Sequence, residues 1–335
     1  MKIFMIGGTG LIGSVAAKKL LDKGHYVTSL ALPPIPKGAL IPQDMKLILK
    51  NFMNMTDAEL IDIMHGSQGF VFAAGVDERI EGKAPIYDMF YKYNIAPLER
   101  LLKLAKQAGV KKAVILGSYF SYFARTWEDL NLYEEHPYIR SRVDQANMAL
   151  SFSDENMSVS VLELPYIFGV QEGRKPVWVL LVEQIRKMKY RTFYPGGGTS
   201  MVTIDQVGQL IANVLETETN GNIPVGYYNM TWKEMLNIFH EHMGINRKIV
   251  TVPKWLYKIG LGKYKRRYKK AGFEPGLTFD GLAEIMSRNA FINKDNIVKN
   301  FNIKEDDIEK AIGDSIKLSL EILDGKEEIV DMKLK

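Results

Sequence analysis

The residues best suited to chemistry lie in the stretch HPYIRSR, at positions 136–142. Tyr138 precedes Arg142 by four positions, so on a helix the two side chains share one face. A tyrosine hydroxyl can pass a proton to or from a substrate oxygen, but its ordinary pKa is about 10. At about 4 Å and an effective dielectric of about 20, a neighbouring cation is worth roughly 4 kcal/mol, or about three pKa units. The spacing therefore predicts an acid–base centre, although Tyr138 could instead be a partly buried aromatic residue on an amphipathic helix.

A second hydroxyl group lies upstream, where the apolar run KAVILGS ends at Ser118. A serine at the carboxyl end of a strand can hydrogen-bond a substrate oxygen, or it can simply cap nearby backbone groups. The YFSYF that follows adds Tyr119, Ser121 and Tyr122. Any of these three could line a substrate pocket or take over proton donation.

The glycine-rich stretch GGTGLIGS, which begins at Gly7, has a spacing that suits a dinucleotide. Gly7 allows a tight turn, Gly10 lets the backbone approach a pyrophosphate, and Gly13 permits close packing of helix on strand. The phosphates would lie at the N-terminus of the next helix, at Leu11 and Ile12, where unpaired N–H groups and the helix dipole favour an anion. A tight turn without a ligand is the alternative, but the position between a strand and a helix favours dinucleotide binding.

The choice between NAD and NADP is open. NAD-binding chains usually carry an acidic residue at the end of the second strand for the ribose hydroxyls, whereas LALPPIPKG at 30–38 contains none. Lys37 could meet the 2′-phosphate of NADP, or it could be an ordinary solvated lysine. The sequence therefore predicts NAD or NADP as cofactor and leans slightly towards NADP.

These residues must be positioned by alternating strands and helices, because the first half of the chain alternates short apolar runs with amphipathic stretches. The predicted strands are 2–6, 26–32, 46–50, 69–75, 112–118 and 158–164. The predicted helices include about 11–23, 56–66, 95–109, 138–151 and 204–216. We expect an α/β fold, with a Rossmann-type doubly wound parallel sheet and a smaller, mostly helical C-terminal substrate domain. The expected cofactor domain is 1–165 with a return segment at about 203–218, and the expected substrate-binding part is 166–202 and 219–335.

Five stretches, in order, resemble the extended short-chain dehydrogenase/reductase family, of the NAD-dependent epimerase/dehydratase type. They are GGTGLIGS, YNIAPLERLLKLAKQAGVKKAVILGS, PYIRSRVDQAN, LELPYIFG and MVTIDQVGQLIANVLE. They are similar to the family's phosphate loop, its fourth helix and fifth strand, its tyrosine helix, the segment after its sixth strand and its return segment. The family's tyrosine helix reads Tyr, three residues, Lys, and this chain has Arg142 in place of the lysine.

The resemblance implies that Tyr138 donates or accepts a proton on a substrate oxygen while hydride passes to or from the nicotinamide. It also implies that Ser118 hydrogen-bonds the same oxygen, and that Asn94 holds backbone geometry and a proton-relay water, unless Asn94 is only a helix N-cap. Arg142 keeps the positive charge, but guanidinium and ammonium groups are not interchangeable. The expected catalytic residues are Ser118, Tyr138 and Arg142. The expected cofactor-binding residues are Gly7, Gly10, Leu11, Ile12, Gly13, Ala73, Ala74, Asn94, Tyr138, Arg142 and Pro165.

Composition excludes several classes of protein. With 335 residues, of which 46% are hydrophobic and 25% charged, the chain has the composition of a globular protein rather than a disordered one. Zero cysteines exclude disulfides, thiolate metal sites and cysteine nucleophiles, and the five histidines do not cluster, so we predict no metal site. The N-terminus lacks a signal-peptide core, and no apolar run reaches the roughly 18 residues of a membrane span. We therefore predict a cytoplasmic location.

The net charge of +5 is unevenly placed, because Lys254–Lys270 holds eight Lys or Arg and no acid. This basic stretch is typical of a solvated helix or loop surface. The alternatives are attraction to an acidic substrate, contact with a membrane surface through the interleaved apolar side chains, and binding of single-stranded RNA. No recognised RNA motif accompanies the stretch, so we do not expect a nucleic-acid partner.

The leading hypothesis is an NAD(P)-dependent oxidoreductase, epimerase or dehydratase that acts on a hydroxyl or carbonyl of a small substrate. The resemblance implies that this substrate could be nucleotide-linked or phosphorylated, and that a homodimer could form through the tyrosine helix. Because Arg142 departs from the family pattern, a dinucleotide-binding sensor or scaffold without turnover is the alternative. An RNA-binding member of the family is a weaker alternative.

Overall fold

The structure is a computed structural model that describes residues 1–327 and residue 329 of the chain. Its strands are β1 (Lys2–Ile6), β2 (Tyr26–Ala31), β3 (Lys46–Leu49), β4 (Gly69–Phe72), β5 (Glu81–Lys83), β6 (Lys112–Leu116), β7 (Ser158–Glu163), β8 (Tyr166–Phe168), β9 (Thr192–Pro195), β10 (Gly198–Thr203), β11 (Gly221–Pro224), β12 (Tyr228–Thr231), β13 (Ile249–Val252), β14 (Phe273–Pro275) and β15 (Asn289–Ala290). Its α-helices are α1 (Leu11–Asp22), α2 (Asp57–Met64), α3 (Tyr87–Phe90), α4 (Ala96–Gln107), α5 (Tyr119–Thr126), α6 (Leu132–Glu135), α7 (Pro137–Leu150), α8 (Val179–Lys187), α9 (Ile204–Glu216), α10 (Trp232–His242), α11 (Lys254–Ala271), α12 (Phe279–Met286), α13 (Asp295–Phe301) and α14 (Ile308–Leu323).

The central sheet has seven strands in the order β11-β7-β6-β4-β1-β2-β3, and every neighbouring pair is parallel. Runs such as KIFMI in β1 and KAVIL in β6 are almost wholly apolar, because helices cover both faces of a parallel sheet. From β1 the chain builds outward through β2 and β3, and then returns to build the other half from β4. This reversal leaves a crevice at the carboxyl ends of β1 and β4. The predicted doubly wound parallel sheet is confirmed.

Helices pack on both faces of this sheet. On one face, α1 lies against α9, and a Cβ on Gly208 would lie 2.9 Å from Val15 Cγ1, so the missing side chain permits the close approach. On the other face, a second buried cluster joins α2, α4 and α7 through Leu60, Leu98, Leu101 and Ala146. Helix α9 therefore brings the chain back to the sheet, in the segment for which the sequence predicts such a return.

Most elements beyond β7, apart from β11, α9 and α13, which belong to the central sheet and its core, build a smaller, mostly helical part around a third buried cluster. Helices α8, α10 and α14 surround Phe168, Trp178, Trp232 and Phe239. Trp178 stacks on Phe168 with ring centroids 4.1 Å apart. Short strands accompany the helices, because β8, β10, β12 and β15 form one small sheet and β9 pairs with β13. These strands have two to six residues, and the sequence predicts none of them.

Two local differences from the sequence prediction concern the crevice. The helix predicted over 95–109 begins earlier, because α3 continues through a π-helical turn at Tyr91–Ile95 into α4. The YFSYF stretch, for which the sequence predicts no element, is helical and forms α5 with Ser118 as its N-cap. Both elements add aromatic residues to one buried cluster, whose members include Phe90, Phe120, Phe123 and Tyr138.

Candidate active site

The expected site residues on loops converge at one edge of the central sheet. Gly7 directly follows β1, and Ala73 and Ala74 directly follow β4. Ser118 comes two residues after β6, and Pro165 comes two residues after β7. Because neighbouring parallel strands end at the same edge, these residues lie around the crevice where ligands of such sheets bind.

The turn after β1 has a shape that requires glycine. Gly7 has a φ of +89°, and a Cβ on it would lie 2.4 Å from the carbonyl oxygen of Ala73. A Cβ on Gly13 would lie 2.2 Å from the carbonyl oxygen of Gly7, so the helix could not sit this close to the turn with any other residue there. Within residues 1–327 and 329, no side chain caps the N-terminus of α1 at Gly10, and its first turn, which begins at Leu11 and Ile12, holds no acid. This helix end fits a pyrophosphate.

Two polar side chains from the loop after Gly169 lie over the glycine-rich turn. Gln171, which is only 8% exposed, donates from Nε2 to the Thr9 carbonyl oxygen and to Ser14 Oγ, both at 3.2 Å. Arg174 donates from Nη2 to the same Thr9 oxygen at 3.2 Å. Sequence reasoning missed both residues, and the only signal was the QEGR stretch that follows the family-like glycine.

Gln171 and Arg174 retain unused hydrogen-bonding atoms beside the open helix end. Gln171 Oε1 and Arg174 Nε are buried and find no partner in the described part of the chain. Arg174 is half-buried, it forms no ion pair with a carboxylate of that part, and burial lowers the pKa of its guanidinium. Because a partly desolvated cation without a counter-ion is destabilising, this arrangement favours an anionic ligand at the turn.

Tyr138 lies in an aromatic pocket at the start of α7. Its side chain is 6% exposed, and its ring makes edge contacts with Phe90 and Phe120, with centroids 5.5 and 6.3 Å away. The backbone N–H of Tyr138 donates to the Gly276 carbonyl oxygen at 2.9 Å. The tyrosine is thus held by α3, α5 and the segment after β14.

The pKa of Tyr138 is raised, not lowered as the Tyr-Arg spacing alone suggests. Burial of the phenol raises its pKa to about 12, and the nearby carboxylates of Glu78 and Asp77 raise it too. The positive charge of Arg142 and the Ser118 hydroxyl both lower the Tyr138 pKa. The cation therefore acts in the expected direction, but loss of water around the phenol outweighs it.

Arg142 lies beneath the loop that follows β4, on the same face of α7 as Tyr138. It is 7% exposed, and its Nη2 donates to the Leu116 carbonyl oxygen at 2.6 Å. Its guanidinium carbon lies 6.0 Å from the centre of the Tyr138 ring. Its Nε is buried without a partner among the described residues. The predicted shared face is confirmed.

Asn94 is fully buried in the π-helical turn and fixes the loop after β4. Its Oδ1 accepts from the Val76 N–H at 2.7 Å, and its Nδ2 donates to the Val76 carbonyl oxygen at 3.0 Å. Its own carbonyl oxygen accepts from Gln145 Nε2 at 2.6 Å. The alternative that Asn94 is a helix N-cap is wrong, because the helix continues through it and no side chain caps α4 in the described chain.

Glu78 is a titratable group of the crevice that sequence reasoning missed. It is half-buried in the loop after β4, and burial, followed by the charge of Asp77, raises its pKa. Its charge in turn raises the pKa of Tyr138, whereas Arg142 lowers that of Glu78. The signal was the VDER stretch directly beyond a strand end.

The hydroxyls of α5 differ in their surroundings. Tyr119 is buried, its hydroxyl lies 3.1 Å from Thr199 Oγ1, and burial raises its pKa. Ser121 is also buried, and its Oγ has no partner in the described residues. Tyr122 is half-buried against Phe123. Tyr119 is thus already engaged with the small sheet.

In residues 1–327 and 329, no group of three or more His, Asp or Glu side chains is arranged to hold a metal ion. In the same residues, no helix combines the length and the apolar character needed to cross a bilayer.

Solved structures of related fold cover nearly the whole chain. UDP-N-acetylglucosamine 4-epimerase from Methanobrevibacter ruminantium M1 is 15% identical, with a TM-score of 0.66 over 96% of this chain and 98% of that one. UDP-glucuronic acid 4-epimerase from Bacillus cereus, in complex with UDP-glucuronic acid and NAD, is 12% identical, with a TM-score of 0.66 over 96% and 100%. A protein named gox2253 is 18% identical, with a TM-score of 0.72 over 97% and 99%. At these identities the likeness shows the fold.

The sequence itself matches one family. No curated protein matches it. The lean towards NADP finds no support, because the Bacillus cereus complex holds NAD and the matching family is described as NAD dependent. The sequence model of the NAD dependent epimerase/dehydratase family matches residues 3–224, which is well over half of the chain. This chain therefore belongs to the NAD dependent epimerase/dehydratase family, a family of NAD-dependent enzymes.

Proposed function

We propose that this chain is an NAD-dependent oxidoreductase, epimerase or dehydratase that acts on a hydroxyl or carbonyl group, with Tyr138 as the acid or base. The observation that carries the proposal is the placement of Tyr138, Arg142 and Ser118 at the same sheet edge as the glycine-rich turn. NAD bound at that edge supplies a hydride acceptor or donor. The protein must then transfer the proton to or from the substrate oxygen and orient the substrate.

The cofactor would be held from three sides. The N-terminus of α1 would take the pyrophosphate, with Gln171 and Arg174 covering it from the loop after Gly169. The guanidinium of Arg142 would donate to a cofactor hydroxyl near the tyrosine. Ala73, Ala74 and Pro165 would line the crevice at neighbouring strand ends. We propose NAD rather than NADP, because the matching family is described as NAD dependent and the Bacillus cereus epimerase of the same fold holds NAD.

The electrostatics of Tyr138 favour its role as a proton donor. With a pKa of about 12, the phenol is protonated at neutral pH and can give its proton to a carbonyl oxygen that receives a hydride. In the reverse direction the phenolate must accept the hydroxyl proton, and Arg142 and Ser118 are the residues that favour the phenolate. Asn94 would act at a distance, by fixing the loop after β4 through Val76.

A nucleotide-linked sugar is the proposed substrate class. Two of the solved structures with this fold are epimerases named for UDP-linked sugars, and one of them holds both its substrate and NAD. The smaller part of this chain covers the same stretch of fold as in those proteins, since the matches extend over 96% of this chain. The division into a cofactor part, 1–165, and a substrate part is proposed on the same ground.

A panel of UDP-linked sugars tests this proposal, with substrate conversion and nicotinamide absorbance as readouts. Tyr138→Phe should abolish turnover and leave NAD affinity unchanged, because only the proton-transferring hydroxyl is removed. Tyr26→Phe is the control, since it removes the hydroxyl of an exposed tyrosine at the amino end of β2, opposite the crevice, and should retain activity. Full activity of Tyr138→Phe would remove Tyr138 from the mechanism. Tight NAD binding without conversion of any panel member would instead favour the sensor or scaffold alternative.

A further inference from the structure

Helix α11, which carries the basic stretch, lies on the protein surface without a single buried residue. It packs against α12 and β14 through a half-buried inner face, formed by Tyr257, Leu261 and Tyr268. At 3.6 residues per turn, these positions share one side of the helix. The opposite side is therefore left to solvent.

The flanks of α11 are neutralised by acids of neighbouring elements. Lys254 and Lys258 both pair with Glu284, at 2.7 and 3.0 Å. Lys265 pairs with Asp280, and Arg267 pairs with Glu81. Half of the eight cations of the stretch thus belong to the intramolecular contacts of the helix.

The remaining outward positions form an outer stripe of Trp255, Ile259, Lys263, Arg266 and Lys270. Their spacing of four, four, three and four residues places them on one line along the helix. Trp255 is 64% exposed and Ile259 is 66% exposed, and neighbouring Leu256 is 41% exposed. None of the three stripe cations forms an ion pair with a described residue. One end of the stripe is therefore apolar and the other is cationic and unpaired.

We propose that the outer stripe of α11 docks the protein onto the surface of an anionic lipid bilayer. An interfacial helix of this type buries apolar side chains at the headgroup boundary and pairs its cations with lipid phosphates. Tryptophan prefers that boundary because its ring is apolar and its N–H is polar. The stripe provides both contacts side by side, on a helix already held rigid by its inner face.

The composition of the stripe favours a bilayer over single-stranded RNA. Base stacking requires aromatic faces among the cations, and Trp255 is the one aromatic residue of the stripe. Ile259 and Leu256 have no ring to stack, whereas hydrocarbon burial accounts for both. The exposed apolar side chains Trp255, Leu256 and Ile259 lie together at the N-terminal end of α11, so all three can enter the headgroup region at the same depth.

Vesicle flotation of the 335-residue chain tests the proposal. Native protein should float with vesicles of phosphatidylcholine and phosphatidylglycerol at low salt, and far less with phosphatidylcholine alone. The triple variant Lys263→Gln, Arg266→Gln, Lys270→Gln should bind about a hundredfold more weakly, since each cation near an anionic surface contributes about a fivefold factor. Trp255→Ser with Ile259→Ser should weaken binding by at least about tenfold.

The matched control is the triple variant Lys103→Gln, Lys233→Gln, Lys317→Gln, which removes the same charge from exposed positions of three other helices. It should float like the native protein, and all variants should keep native NAD affinity because the stripe lies outside the proposed cofactor site. Trp255 fluorescence should shift to the blue with anionic vesicles and be quenched by brominated lipid.

Three results would overturn the proposal. The first is no flotation of native protein with anionic vesicles, and the second is an equal loss in the control triple variant. The third is tight, salt-sensitive binding of single-stranded RNA that competes with vesicles and persists in the variant with Trp255 and Ile259 replaced. That result would assign the surface to nucleic acid. The proposed catalytic function is tested separately, because conversion of the UDP-linked sugars is measured in solution without vesicles.

Discussion

Replacing Arg142 by glutamine tests whether the guanidinium controls proton transfer by Tyr138. The guanidinium carbon lies 6.0 Å from the centre of the Tyr138 ring. At this distance and an effective dielectric of about 20, the charge is worth roughly 3 kcal/mol, or about two pKa units. Burial already raises the Tyr138 pKa to about 12, and Arg142 is the largest influence that lowers it. Removing the charge should therefore raise this pKa further.

The assay is the pH dependence of kcat/KM for oxidation of a hydroxyl substrate, in which Tyr138 must accept a proton. The rate should rise with pH, and Arg142→Gln should shift that rise upward by about two units, so the rate at a fixed lower pH falls by about a hundredfold. Arg142→Lys keeps the charge and should shift the rise much less. The lysine cannot reproduce the hydrogen bond from the Arg142 guanidinium to the Leu116 carbonyl oxygen. Any loss of activity in Arg142→Lys should therefore be the same at all pH values.

Arg140→Gln is the matched control for this prediction, because it removes the same charge from the same helix. Arg140 lies over the ring of Tyr87 at 4.5 Å and near that of Tyr133, and not over Tyr138. Its pH profile should match that of the native protein. An unmoved profile in Arg142→Gln, or an equal shift in Arg140→Gln, would refute the electrostatic reasoning.

Three more predictions concern the cofactor turn and stability. Arg174→Leu should weaken binding of NAD and ADP-ribose by about tenfold or more, but not of adenosine, as measured by calorimetry; Lys175→Leu, next to it and exposed, should have no such effect. Gly13→Ala should abolish NAD binding, because the new Cβ would lie 2.2 Å from a carbonyl oxygen, and native affinity would show that the turn is more adaptable than described. Burial lowers the pKa of His136 to about 4, so the unfolded chain binds this proton more tightly. This difference in the pKa of His136 between the two states contributes about 3 kcal/mol to the free energy of unfolding. The contribution is complete above pH 6.5 and is lost as the pH falls towards 4. Urea denaturation of His136→Gln should show a flatter pH dependence than His65→Gln, and equal slopes would contradict the assignment.

The sheet and its helices were predictable because their signals are local. The apolar runs at 2–6 and 158–164 mark buried parallel strands, and the helix predicted at 204–216 is α9 with the same bounds. Thr203 caps this helix together with Gln206, so short-range hydrogen bonds decide where it begins. The glycine-rich turn is equally local, because its conformation depends on residues that follow one another in the chain.

The candidate site was predictable in part. The spacing of Tyr138 and Arg142 places both on one face of α7, and the strand order brings Ser118 to the same edge. The roles of these residues, the cytoplasmic location, the absence of a nucleic-acid partner and the homodimer stay predictions. The aromatic helix α5 was not predicted, because YFSYF directly follows a strand end and contains no glycine or proline that would mark a boundary between loop and helix.

The sequence by itself determined the fold class, the glycine turn and the pairing of a tyrosine with a cation, since each depends on neighbours within one element. Only the tertiary structure decided the direction of the Tyr138 pKa, because burial by α3 and α5 removes the water that would solvate the phenolate. It alone brought Gln171 and Arg174 over a turn that lies more than 150 residues earlier in the chain. It also decided which cations of α11 are paired, because their acids come from other elements of the chain. Electrostatic energies depend on distance and solvent in the folded chain, and neither can be read from spacing along it.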